Sequence, residues 1–137
     1  MTVQEFLNQG RILYKKIESL KVQLRYLNEL ADSSGSRPFD EPVVNKQRSG
    51  KAKFEYYIDK IFAKEEELND KINELLEVQN KIEEVISQLD DPIEILILRE
   101  RYINCFTWEE IECRTDYSRS YIFKMHQSAL NKIKVVD

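Results

Sequence analysis

The sequence predicts an all-α protein: a long antiparallel helical hairpin or coiled coil, followed by a helix-turn-helix. Three observations predict it. Apolar residues recur at alternating spacings of three and four along two long stretches, the signature of helices with a buried seam. Gly and Pro are scarce, at three each in 137 residues, while charged residues reach 34%, a balance that suits long exposed helices. Near the end, two short helical patterns flank a cluster of turn-forming residues.

The first helix is expected over residues 3–31. Val3, Phe6, Gly10, Leu13, Ile17, Leu20, Leu24, Leu27 and Ala31 form its stripe, and Leu7, Tyr14 and Leu30 widen it, so it should contact more than one neighbour. Gly10 costs about 1 kcal/mol of helix propensity relative to Ala; it either permits close packing or marks a weak spot. Residues 32–50 interrupt the pattern with two Pro, two Gly and four Ser, and read as a connector. The alternative is an arm that touches a partner or a phosphate backbone through Arg37, Lys46, Arg48 and Lys51.

The second helix is expected over residues 51–89, about 58 Å long at 1.5 Å per residue. Ile58, Ile61, Glu65, Leu68, Ile72, Leu75, Gln79, Ile82, Ile86 and Leu89 mark its seam. Glu65 and Gln79 would be polar seam residues, which fix register at a cost in stability. Phe62, Leu76, Val78 and Val85 add apolar width, leaving room for the first helix, a second copy of the chain, or both. Residues 1–89 thus read as a hairpin used for oligomerisation, and residues 90–137 as a separate binding domain.

Asp91-Pro92 opens the next helix, since Pro fits the first helical position and Asp caps it. That helix is expected over 93–103, with Ile95, Leu98 and Tyr102 facing inward. Thr107 and Glu110 have capping-box spacing, and Trp108 is expected to anchor the core on Tyr102 and Ile122. The helix they start must stop near Thr115, and Ser118 is placed to cap the last helix. In that helix Ile122, Met125, Ala129 and Ile133 make the buried stripe. Arg119, Ser120, Tyr121, Phe123, Lys124 and Gln127 fall opposite. From Arg114 to Lys134 there are five basic residues and one acid. A helix face with that chemistry suits a major groove, and the candidate DNA-binding residues are Arg114, Ser118, Arg119, Ser120, Tyr121, Phe123, Lys124 and Gln127.

Composition narrows the functional classes. Two Cys and one His, with no CxxC, argue against a zinc site; no cofactor is expected. Cys105 and Cys113 read as semi-buried thiols in a reducing cytoplasm. No signal peptide pattern opens the chain and no apolar run suits a membrane span. There is no phosphate-binding Gly-rich loop or nucleophile motif, so an enzyme is not expected. The net charge of −4 is unusual for a nucleic-acid binder, but acids gather at Glu65–Glu67, Glu83–Glu84 and Asp90–Asp91.

The run from Asp91 to Ile133 resembles the fourth conserved region of bacterial sigma factors. The likeness rests on Leu98-Arg99-x-Arg101-Tyr102, on Thr107-Trp108-Glu109-Glu110-Ile111, on the capping Ser118, and on Ala129-Leu130-x-Lys132-Ile133. The whole chain is similar to small phage and prophage proteins of Gram-positive bacteria, late-gene transcriptional regulators of the ArpU or RinA type. The resemblance implies that the helix-turn-helix reads promoter-like DNA. The chain departs from the sigma pattern at Glu112, where a small residue is usual, and at Thr115 and Asp116, in place of an apolar residue and Gly. Of the implied base-reading positions, Arg119, Ser120, Phe123 and Lys124, only Arg119 keeps the usual chemistry, so the implied target differs from the standard hexamer.

Three roles follow as expectations. The first is a transcriptional regulator on double-stranded DNA, acting as a homodimer or higher oligomer. The second is a DNA binder like the small subunits of phage packaging machines, which form rings. The third is an adaptor that docks on RNA polymerase through Tyr121 and Phe123.

Overall fold

In a computed structural model, residues 1–35 and 44–134 are described, with side chains for residues 1–33 and 52–134. Five α-helices account for most of them: α1 (Val3–Gly35), α2 (Val44–Ile86), α3 (Pro92–Leu98), α4 (Trp108–Thr115) and α5 (Arg119–Lys132). A π-helical turn, Arg99–Ile103, follows α3 directly. No strand occurs among the described residues, and none of the helices is long and apolar enough to cross a membrane.

The first helix runs past its expected end and the second begins before its expected start, so the connector between them is shorter; the second also ends at Ile86, three residues short of Leu89. Residues 32–35 continue α1 and residues 44–50 already belong to α2. The middle of the expected loop, 36–43, lies outside the described residues, as do the side chains of Arg37, Lys46, Arg48 and Lys51. At its other end α1 is closed by a reciprocal cap. Glu5 N–H donates to Thr2 Oγ1 at 3.1 Å, and Thr2 N–H donates to Glu5 Oε2 at 3.1 Å, so two otherwise orphaned donors are satisfied.

Two compact units divide the chain. One comprises Lys16–Ile72, the other Met1–Lys15 with Asn73–Asp137. In the first, Ile17, Leu20 and Ala31 of α1 and Ile61 of α2 are buried. Glu65, expected in the seam, is exposed.

The second unit carries the larger core. The start of α1 runs antiparallel to the end of α2: Gly10 faces Leu75 and Ile82, while Leu7 clusters with Ile82, Ile86 and Leu89. Leu98, Tyr102, Ala129 and Ile133 complete that cluster, so the ends of the long helices share a core with α3, the π-turn and α5. A Cβ on Gly10 would lie 3.3 Å from both Ile82 Cδ1 and the Tyr102 carbonyl oxygen. Gly10 is therefore a close-packing position, which decides between the two readings of it. Leu7, expected at the flank of the stripe, is fully buried.

The helix expected over 93–103 changes character at Arg99. Asn104 N–H donates to Arg99 O at 2.9 Å, five residues back, and Phe106 N–H reaches Glu100 O at 3.0 Å. This widening releases successive carbonyls, and donors from other elements take them up. Arg11 Nη1 donates to Arg101 O at 3.3 Å, the Cys105 thiol lies 3.9 Å from Tyr102 O, and Gln79 Nε2 donates to Ile103 O at 3.0 Å. Gln79 thus serves as a donor to the π-turn instead of a polar seam residue. The chain leaves this region through Cys105, whose φ is 60°.

A second, smaller core ties α3, α4 and α5 together. Ile97, Ile111 and Ile122 are fully buried, and Ile93, Phe106, Trp108, Tyr117 and Met125 pack around them. Each helix start is capped as its sequence suggests. Ile93 N–H donates to Asp91 Oδ1 at 2.9 Å; Thr107 and Glu110 cap each other at 3.2 Å; Tyr121 N–H donates to Ser118 Oγ at 3.2 Å.

Between α4 and α5 the turn consists of Asp116, Tyr117 and Ser118. Asp116 closes α4 in the left-handed conformation, φ 61° and ψ 13°. A residue with a Cβ is strained there and Gly is not, although Asp tolerates it better than most. Asp116→Gly should therefore stabilise the protein by about 0.5–1 kcal/mol, read as a higher urea midpoint. A lower midpoint would show that the Asp116 side chain contributes more than its backbone strain costs.

Candidate nucleic-acid interface

The outer side of α5 and the end of α4 hold all eight candidate residues. Ser118, Arg119, Ser120, Phe123, Lys124 and Gln127 are exposed, as is Arg114 on α4; Tyr121 is half-buried. Seen from the sequence, this surface is a run of cations with two rings. The folded chain alters it in two ways.

First, acids from other elements reach the cations. Arg119 forms a fork with Glu112, Nε to Oε1 at 2.7 Å and Nη2 to Oε2 at 3.3 Å. Arg114 forms the same fork with Glu100, at 2.8 and 3.3 Å, and its guanidinium lies over the Phe106 ring, 4.5 Å from the centroid. Lys132 Nζ donates to Glu94 Oε1 at 2.8 Å. The hydrogen bond that Arg114 donates to Glu100 raises the Arg114 pKa above its ordinary value, and the one Lys132 donates to Glu94 raises the Lys132 pKa. Three of the five local cations are therefore charge-compensated, whereas no ion pair of Lys124 is found among the described residues. A count confined to Arg114–Lys134 misses this, because Glu94, Glu100 and Glu112 either precede that stretch or arrive from the neighbouring helix.

Second, the aromatic residues have partners. The Phe123 ring meets Trp108 edge-on with centroids 5.0 Å apart, and Tyr121 meets Tyr117 likewise at 5.0 Å. Phe123 still leaves 44% of its surface exposed, so its outer edge remains open to contact. Gln127 Nε2 donates to Asn131 Oδ1 at 3.1 Å, an exposed contact within one turn that water or a base edge can replace.

Beneath this face lies a polar group the stripe reading passed over. His126 is buried, and Met125, expected in the stripe, is only half-buried. Tyr102 Oη lies 2.6 Å from His126 Nε2. Burial, and secondarily the charge of Arg101, lowers the His126 pKa to about 4, and burial raises that of Tyr102 to about 12. Both groups are neutral near pH 7, and one short hydrogen bond joins them, its direction set by the imidazole tautomer. Trp108 packs edge-on against His126 at 5.0 Å and receives the Arg101 guanidinium on its face at 4.2 Å. Of the two expected neighbours, Ile122 belongs to the cluster Trp108 packs against, while the ring it meets is His126, itself stacked on Tyr102 at 5.7 Å. Trp108 is thus a core anchor under the α5 face.

Glu94 is a second unforeseen buried group. Its Oε1 accepts from Ser128 Oγ at 2.8 Å as well as from Lys132, while Oε2 is buried without a hydrogen bond. It clamps α3 to α5 from inside. Among the described residues no three His, Cys, Asp or Glu side chains come together as a metal site. Cys105 is buried, with its thiol pKa raised by that burial, and Cys113 is exposed.

No family model, no curated protein and no solved structure matches the chain.

Proposed function

We propose that this protein binds double-stranded DNA sequence-specifically as a transcriptional regulator, with α4 and α5 acting as a helix-turn-helix and α5 as the reading helix. The observation that carries the reading is the outer face of α5: a capped N-terminus at Ser118 followed by Arg119, Ser120, Phe123, Lys124 and Gln127, all exposed. Donors at the start of such a helix suit a phosphate. A guanidinium, an amide and a ring edge within two turns suit base edges and a thymine methyl. The resemblance to sigma region four and to small phage regulators supports the same assignment. The compensated cations fit a protein whose affinity depends on base contacts more than on phosphate charge.

The long helices supply the oligomer in this reading. Val22, Tyr26, Phe54, Tyr56 and Phe62 are exposed in the Lys16–Ile72 unit, and large apolar side chains on helix faces favour self-association. Two copies would set two reading helices on half-sites about 34 Å apart.

Selection from random duplex DNA tests the proposal. A defined, two-fold-related sequence should emerge, and Arg119→Ala should weaken binding to it about tenfold while relaxing one base position. Recovery of no preferred sequence would overturn it. Retention of RNA polymerase without DNA, insensitive to salt, would favour the adaptor role.

A further inference from the structure

The Arg119–Glu112 fork has a specific edge. A guanidinium carries five N–H donors: one on Nε and two on each Nη. Glu112 takes Nε and one donor of Nη2, at 2.7 and 3.3 Å. It therefore engages the side of the fork and leaves the end, both Nη1 hydrogens and the second of Nη2, without a partner among the described residues. The end-on edge presents two parallel donors, and guanine presents two parallel acceptors, O6 and N7, in the major groove.

Glu112 stands in α4, seven residues before Arg119 and across the turn. Its backbone is fixed independently, since Asp116 N–H donates to Glu112 O at 2.9 Å to close α4. Its side chain is 31% exposed and that of Arg119 43%, so the pair sits at the surface, not beneath it. A long flexible side chain at the first residue of a helix is thereby tied at two points, and the rotamer entropy lost on meeting a base is reduced in advance.

We propose that Glu112 is a positioning residue for base recognition: it holds Arg119 side-on so that the guanidinium meets guanine end-on. This rests on the DNA-reading assignment of α5. The same carboxylate repels the phosphate backbone, so it sharpens the choice of sequence while lowering affinity for arbitrary DNA. An alternative role for Glu112, as an internal competitor that must release Arg119 before DNA binds, makes the opposite prediction.

The test compares the full-length wild type, Glu112→Ala, Glu112→Gln and Arg119→Ala in parallel selections from random duplex DNA, with affinities for the selected and a scrambled duplex. Arg119→Ala identifies the base pair it reads. Glu112→Ala is expected to lose guanine preference at that same base pair about tenfold, keep the other positions, and bind the scrambled duplex at least as tightly as wild type. Glu112→Gln, which keeps one acceptor oxygen, should fall between. If Glu112→Ala binds the selected duplex more tightly with guanine preference intact, the positioning role is overturned in favour of competition. If Arg119→Ala relaxes a position and Glu112→Ala changes nothing, only the role of Glu112 falls. If no sequence is enriched by any of the proteins, the DNA-reading assignment falls and the positioning role falls with it.

Discussion

Replacing Ile97 with alanine should lower the free energy of unfolding by about 3–4 kcal/mol, the largest single effect expected in this chain. Ile97 is fully buried and, with Ile111 and Ile122, forms the small core that joins α3, α4 and α5. The core is small, three buried isoleucines with five partly buried side chains around them, and a void left there adds a cavity term to the lost burial. The neighbouring Leu96 is 38% exposed, and Leu96→Ala should cost under about 1 kcal/mol. Urea unfolding of both variants measures the contrast. Equal losses at the two positions would mean that the three helices are held by something other than this core. Because α5 owes its placement to the same contact, Ile97→Ala should also weaken the proposed DNA binding without touching the outer face of α5.

Acid should destabilise the protein through His126 before most carboxylates titrate. Its folded pKa is lowered to about 4 from an ordinary value of 6.5. Between those values the unfolded chain binds a proton that the folded chain does not, so stability falls as pH falls. The contribution is complete above pH 6.5 and lost by pH 4. It amounts to about 2 kcal/mol, allowing for the solvent that still reaches the ring. Structure explains the direction. A protonated ring would hold its charge inside the core, beside the Tyr102 hydroxyl 2.6 Å from Nε2 and with the Arg101 charge nearby. Unfolding free energies measured between pH 7 and 5 should slope for the wild type and flatten for His126→Gln, whose amide oxygen can accept from Tyr102. Parallel slopes would show that other groups carry the acid sensitivity.

What the sequence made legible was local. The reciprocal cap at Thr107 and Glu110, the Asp91-Pro92 start and the Ser118 cap each depend on residues within three positions, and the spacing alone specifies the hydrogen bonds. The exposure of Arg119, Ser120, Phe123, Lys124 and Gln127 followed from the period of the stripe opposite. The misreadings have a common cause in distance along the chain. Glu94 meets Lys132 thirty-eight residues away, and Glu100 meets Arg114 fourteen away, so a local charge count could not find them. His126 lies four residues after Ile122 and three before Ala129, on the buried stripe by spacing, but a search for apolar residues passes over a histidine whose partner is a distant tyrosine. Glu112 was visible as a departure from the sigma pattern; its attachment to Arg119 depends on how the turn folds back.

The π-turn at Arg99–Ile103 bears on how separable the parts of this protein are. Its carbonyls at positions 101 and 103 are satisfied by Arg11 and Gln79, side chains that begin the chain and end its second helix. The last five tens of residues are consequently not a portable cassette. Transplanted onto another carrier, they would arrive with bare acceptors and a missing wall at Leu7 and Ile82. Inheritance of this end of the molecule, by recombination or by design, has to bring both termini of the hairpin with it.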